Sequence, residues 1–317
     1  MVQAEPLIHW PEPIVEYIGF VAEFLAVGAI GFRYAAVRNR LGAHDRTGDD
    51  SPGDGGFYGD ACARAARIGL VGALVQAWMF ANALPKNAAR AHTTVSGLVT
   101  HDLMTGAIAV LTVVGLIGFL LAATRRRVGW PLAAAGVVLA PLAGIVTLQW
   151  MRLVNPVHRL VASLWLGTLL VLVVAGLGLL LRDARVRERR GAIAADLVNG
   201  FSPLALVSGG ILVLTGVITA LRHLNPFSSL WTHPYGWVLI WKLVFVAVVF
   251  GLGAWNWRRA RPSLGSESAA VAIRRSSIRE LVVAAIVLAF TAVLVSIPSP
   301  RPPRPAGAPA GAPAGGQ

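Results

Sequence analysis

The chain of 317 residues is 56% hydrophobic and 14% charged, with a mean hydropathy of +0.65. Soluble domains carry about 25% charge, so this composition excludes an ordinary soluble fold. A single cysteine, Cys62, excludes an internal disulfide, and the net charge of +13 needs an explanation other than nucleic acid, because the Arg residues sit in short runs between apolar segments.

Apolar runs long enough to cross a bilayer core recur along the chain, and a membrane span must satisfy its own backbone hydrogen bonds, which makes each a helix. The sequence predicts an all-α, polytopic membrane bundle of eight spans, near 14–37, 62–84, 99–123, 129–150, 157–181, 202–222, 235–257 and 277–297. They group into an N-terminal four-helix half, 1–150, with a cytoplasmic loop at 38–60, and a second four-helix half, 151–298. The stretch 299–317 is rich in Pro, Ala and Gly, has no apolar face to bury, and reads as a disordered external tail.

The first span carries no Lys or Arg before Arg33, which argues for a retained helix and not a cleaved leader. Twenty of the 28 Lys and Arg fall at one set of helix ends, with runs at Arg125–Arg127, Arg182–Arg190 and Arg258–Arg261. The positive-inside rule makes that face cytoplasmic and puts both termini outside. The setting this implies is a multi-pass membrane protein in contact with lipid and not with nucleic acid.

With the sides assigned, six of the seven His (His9, His92, His101, His158, His223 and His233) fall on the outer face, and only His44 is cytoplasmic. Met79, Met104 and Met151 lie toward the same outer side. Imidazole with thioether suits copper, Cu(I) above all, whereas zinc sites seldom use Met. The candidate metal ligands are therefore His92, His101, Met104, His158, His223 and His233. In "HDLMT", His101, Met104 and Thr105 would share one face of a continuous helix, and Asp102 could orient the His101 ring.

Two further features suggest a path inward. In the sixth span Ser208, Thr215, Thr219 and His223 form a polar stripe. Glu23 and Lys242 lie deep in the first and seventh spans at similar depth, which permits a Glu23–Lys242 charge pair. Glu16, one heptad above Glu23, would extend the path outward.

The second half also carries a recognisable series: "HRLVASLWLG" from His158, "FSPLALVSGGILVLTG" from Phe201, "LWTHPYGWVLIWK" ending at Lys242, "AWNWRR" with Asn256, and "IRRSSIRELVVAAIVLAFTAVLVSIP" with Glu280. In this order the series, from about 157 to 298, resembles the copper resistance protein D (CopD) family. The resemblance implies an inner-membrane protein of about eight helices associated with copper uptake, beside a periplasmic copper-binding partner. His158 matches a motif position of that family.

Three functions fit these residues. The first is a copper permease with an outer-face His/Met site. No Gly-rich phosphate loop is present, so such transport would not be driven by nucleotide. The second is a b-type haem protein using His101, His158 or His223 as axial ligands. The third is a structural or assembly subunit of a larger membrane complex. No Ser-His-Asp arrangement can be placed, so the chain reads as a non-enzyme.

Overall fold

A computed structural model describes residues 10–37, 54–143, 150–223, 228–260 and 266–297; His9, His44, residues 38–53 of the predicted 38–60 loop and the tail lie outside the described residues. Helix α1 spans Glu12–Gly31 and runs into a π turn, Phe32–Ala36. Helix α2 is Asp54–Arg90, α3 the short Val95–His101, α4 Leu103–Ala123 and α5 Gly129–Leu142. Helix α6 begins at Trp150–Ala162, continues through π turns at Ser163–Gly167 and Leu172–Leu177, and ends at Gly178–Leu180. After a 3-10 segment, Ala184–Arg189, come α7 (Arg190–His223), the single turn α8 (Ser229–Thr232), α9 (Pro234–Ala260) and α10 (Glu267–Ser296). No strand occurs among the described residues.

The chain is a polytopic helical bundle. Among the described residues seven helices are long and apolar enough to cross a membrane. The fourth predicted span, 129–150, corresponds to the shorter apolar helix Gly129–Leu142, and residues 144–149 lie outside the described set. Pro141 near the end of α5 denies the backbone an N–H at that point.

Helices α1 and α6 form the centre and the others surround them. Two glycines make this possible. A Cβ on Gly28 would meet the Gly167 backbone at 2.2 Å, and one on Gly167 would meet the Phe24 carbonyl oxygen at 2.2 Å. Without a hydrophobic drive between helices in lipid, such close backbone approach is what van der Waals packing exploits. Large side chains fill in toward the arginine-rich end: Phe32, Phe57, Leu172, Leu177, Leu180 and Leu197 are fully buried. Trp165 packs on Phe250 of α9 at a centroid distance of 5.0 Å.

The basic helix ends gather on one face. Asp60 accepts from both Arg125 and Arg185, Asp183 accepts from Arg185, and Arg190 donates to Glu267 at 2.5 Å. The hydrogen bonds from Arg185, its side chain first, hold the Asp183 carboxyl below its ordinary value of 3.8. Four separate connections thus meet at one end, as the alternation of the basic runs requires.

Candidate functional site

Helix α6 carries the two groups on which the candidate site turns. His158 lies 22 residues before the end of α6 at Leu180. At 1.5 Å per residue that is about 30 Å from the arginine-rich face, the thickness of a bilayer core. The ring is set against α7. His158 Nδ1 is 2.8 Å from Thr215 Oγ1, and the Thr215 hydroxyl is 2.7 Å from the Ile211 carbonyl.

A hydroxyl has one proton, and the Ile211 carbonyl can only accept. With the Thr215 proton given to Ile211, the hydroxyl oxygen accepts from His158, and in that tautomer a neutral ring carries its proton on Nδ1. The lone pair is left on Nε2. This is the arrangement by which a partner fixes the tautomer of a ligand imidazole. Thr215 is 8% exposed, so the hydroxyl is shielded from competing water. Gly216, next along α7, leaves the ring room: a Cβ there would touch His158 Cε1 at 3.5 Å.

A second contact repeats the first one turn away. The Thr219 hydroxyl donates to Asn155 Oδ1 at 3.1 Å. Asn155 and His158 are three apart on α6, and Thr219 and Thr215 four apart on α7, so each pair shares a helix face and the helices run antiparallel. The Lys242 ammonium on α9 lies within electrostatic range of the His158 ring. Among the described residues Lys242 forms no ion pair.

The predicted Glu23–Lys242 pair is not formed. Glu23 Oε2 accepts from Arg159 Nη2 at 2.6 Å. The reason is neighbourhood: α1 packs on α6 through Gly28 and Gly167, and Arg159 lies on that α6 surface with its guanidinium 5.1 Å from the Phe20 ring centroid. The helix that brings a cation to Glu23 is α6, whereas Lys242 stands on α9. His158 and Arg159, adjacent in sequence, thus reach different helices.

The "HDLMT" reading is also corrected. The helix breaks at Asp102 (φ −91°, ψ 105°), so His101 closes α3 while Met104 and Thr105 open α4. The Asp102 carboxylate caps α4, accepting from the Thr105 backbone N–H at 3.0 Å and from its hydroxyl. Those bonds, the hydroxyl first, hold its carboxyl below the ordinary range, and they leave it committed to Thr105 and not to the His101 ring. His92 and His101 are exposed, and Met104 is 45% exposed.

His233 is spent on a cap: its Nδ1 accepts from the Tyr235 N–H at 3.2 Å at the start of α9. The side chains of His223 and Met151 lie outside the described residues. Among the described residues no three of His, Cys, Asp and Glu stand together. His158 and Thr215, each singled out separately in the sequence, are brought together by the fold; Arg159 and Asn155 are the participants that sequence reasoning missed.

A cluster near the other end of α9 joins Asn256, Ser276 and Glu280. Asn256 donates to the buried Glu280 carboxylate and accepts from Ser276. Asn256 and Glu280 are both among the residues that carried the family resemblance.

Residues 195–294 match the family of copper resistance protein D. The resemblance read from the sequence therefore holds across α7 to α10, which contain Thr215, Thr219, Lys242, Asn256 and Glu280. His158 on α6 lies N-terminal to this CopD segment. The chain is also 28% identical over 153 residues to copper transport protein CutJ of Bacillus subtilis (strain 168). That alignment covers 48% of this chain and 26% of CutJ, so the chain spans about a quarter of the length of its curated relative. No solved structure matches the chain. Residues 195–294 are thus similar to copper resistance protein D, and the long apolar helices around them fit a copper-related, multi-pass membrane protein.

Proposed function

We propose that the protein is a copper permease of a bacterial cytoplasmic membrane, with both termini outside, and that His158 receives the ion through Nε2 at the outer end of the α6–α7 interface. The observation that supports this reading is the Ile211–Thr215–His158 relay, which presents the unprotonated nitrogen of the ring. Cuprous ion, as transported substrate, suits an imidazole nitrogen and adds thioether or imidazole ligands readily. His223 and Met151 end α7 and begin α6 on the same side and are the candidates for those further ligands.

Below the relay, Ser208 continues the polar face of α7 inward and is buried. Lys242 introduces a positive charge near the entry. A cation at His158 is opposed by that charge, so binding stays weak enough for release, a requirement of any transport site. Uptake is driven by the copper gradient or by chelation on the inner side, and a periplasmic copper-binding protein would supply the ion.

The test is copper entry into proteoliposomes of purified protein loaded with an internal cuprous chelator. Saturable uptake that is abolished by His158→Ala supports the proposal. Uptake that does not exceed that of empty vesicles, or that persists in His158→Ala, overturns it. A Soret band in the purified protein with no copper uptake would favour the haem reading.

A further inference from the structure

The Glu23–Arg159 pair borders a cavity of about 550 Å³ among α1, α2, α4, α5 and α6, within the size range of small-molecule sites. Its walls are mostly apolar, with Phe80, Leu111 and Val137 among them, and its polar members include Glu23, Gln76 and Arg159. One oxygen of Glu23 is engaged by Arg159. The other, Oε1, is buried with no hydrogen-bond donor, and Glu23 as a whole is 6% exposed.

A buried carboxylate oxygen without a donor costs about 1–3 kcal/mol or more, so its persistence points to a group that completes it. The chemistry of that group is constrained on three sides. The ion pair is internally neutral and Arg159 stands beside the oxygen, so a metal cation is disfavoured and a neutral donor is favoured. The walls require an apolar body. All five enclosing helices belong to the membrane bundle, so the ligand comes from the lipid phase.

We propose that this cavity binds a neutral, hydroxyl-bearing ring compound of the quinol class, whose O–H donates to Glu23 Oε1. The site is separate from the copper reading: the cavity meets α6 through Asn155, Pro156 and Arg159, while His158 turns to α7. Only binding is proposed, with no electron transfer.

The test titrates purified full-length protein in detergent, under anaerobic conditions, with tetramethylhydroquinone and with its dimethyl ether, which has the same ring and no O–H. The expected result is saturable binding of the hydroquinone, about tenfold weaker binding of the ether, and a comparable loss in Glu23→Leu, the effect of one charge-assisted hydrogen bond. Ala140→Leu, which fills a wall of the cavity without touching the ion pair, should weaken binding too, and His158→Ala should leave it unchanged. No saturable binding to the wild-type protein overturns the proposal. So does equal affinity for the ether, or unchanged binding in Ala140→Leu. Because His158→Ala is read in the same assay, failure of this site and failure of the copper site are distinguishable.

Discussion

Thr215→Val is the substitution that most cleanly separates a ligand His158 from one that merely packs. Valine keeps the branched shape and removes only the hydroxyl. The Ile211 carbonyl retains the helix's own hydrogen bond, so nothing else is stranded on α7. His158 Nδ1–H loses its acceptor at 2.8 Å in a shielded position. The ring is then free to move its proton to Nε2 and to rotate. Loss of a neutral hydrogen bond accounts for about 0.5–1.5 kcal/mol. Loss of a partner that orients a ligand His typically weakens metal affinity 10–100-fold, or about 1.4–2.7 kcal/mol. Competition of purified protein against a chromophoric cuprous chelator should show a weakening in that range. Thr215→Ser, which keeps the hydroxyl, should recover most of it. Thr215→Val with unchanged copper affinity would refute the assignment of Nε2 as the presented atom.

Four further outcomes follow from the same geometry. Lys242→Met removes the positive charge near His158 and should tighten copper binding by up to about fivefold, roughly 1 kcal/mol at an effective dielectric of 20, in the same chelator competition. Arg159→Ala leaves the buried Glu23 without its counter-charge; since the Arg159 side chain is 51% exposed, the loss of stability in a detergent melt should be on the order of 2 kcal/mol, below the 3–5 kcal/mol of a fully buried pair. The double variant Glu23→Gln with Arg159→Gln should recover part of it, and a melt no lower than wild type for Arg159→Ala would count against the pair. Gly28→Val drives a side chain into the Gly167 backbone, and forced separation of α1 from α6 should cost about 1–3 kcal/mol in the same melt. Asp183 has a depressed carboxyl, so its contribution is present above the ordinary value of 3.8 and is lost as pH falls below it; the stability of Asp183→Asn should vary less with pH in that acidic window.

The helices were legible because a bilayer admits little else: long apolar runs and the rhythm of basic ends place α1, α2, α4, α6, α7, α9 and α10 directly. The run at 129–150 had the hydropathy of a span; its described part is helix from Gly129 to Leu142, with Pro141 near the end. "HDLMT" misled because i, i+3 spacing assumes an unbroken helix. Asp followed by Thr three residues later is also a helix-capping pattern, and capping is what Asp102 does. Glu23 was recognisable as a buried charge in need of a partner, but depth alone could not choose between Lys242 and Arg159. That choice follows from which helix α1 lies against, and Gly28 and Gly167, distant in sequence, decide it. Thr215 and His158 were each visible as candidates. Their meeting depends on the antiparallel register of α6 and α7, which no single-helix spacing contains.

The most direct measurement is the copper content of the purified protein after dialysis, wild type against His158→Ala, with an optical spectrum of each. The account predicts copper in the wild type, its loss in His158→Ala at unchanged helical content, and no Soret band. Copper retained by a folded His158→Ala protein, or a wild type that holds haem and no copper, would contradict it.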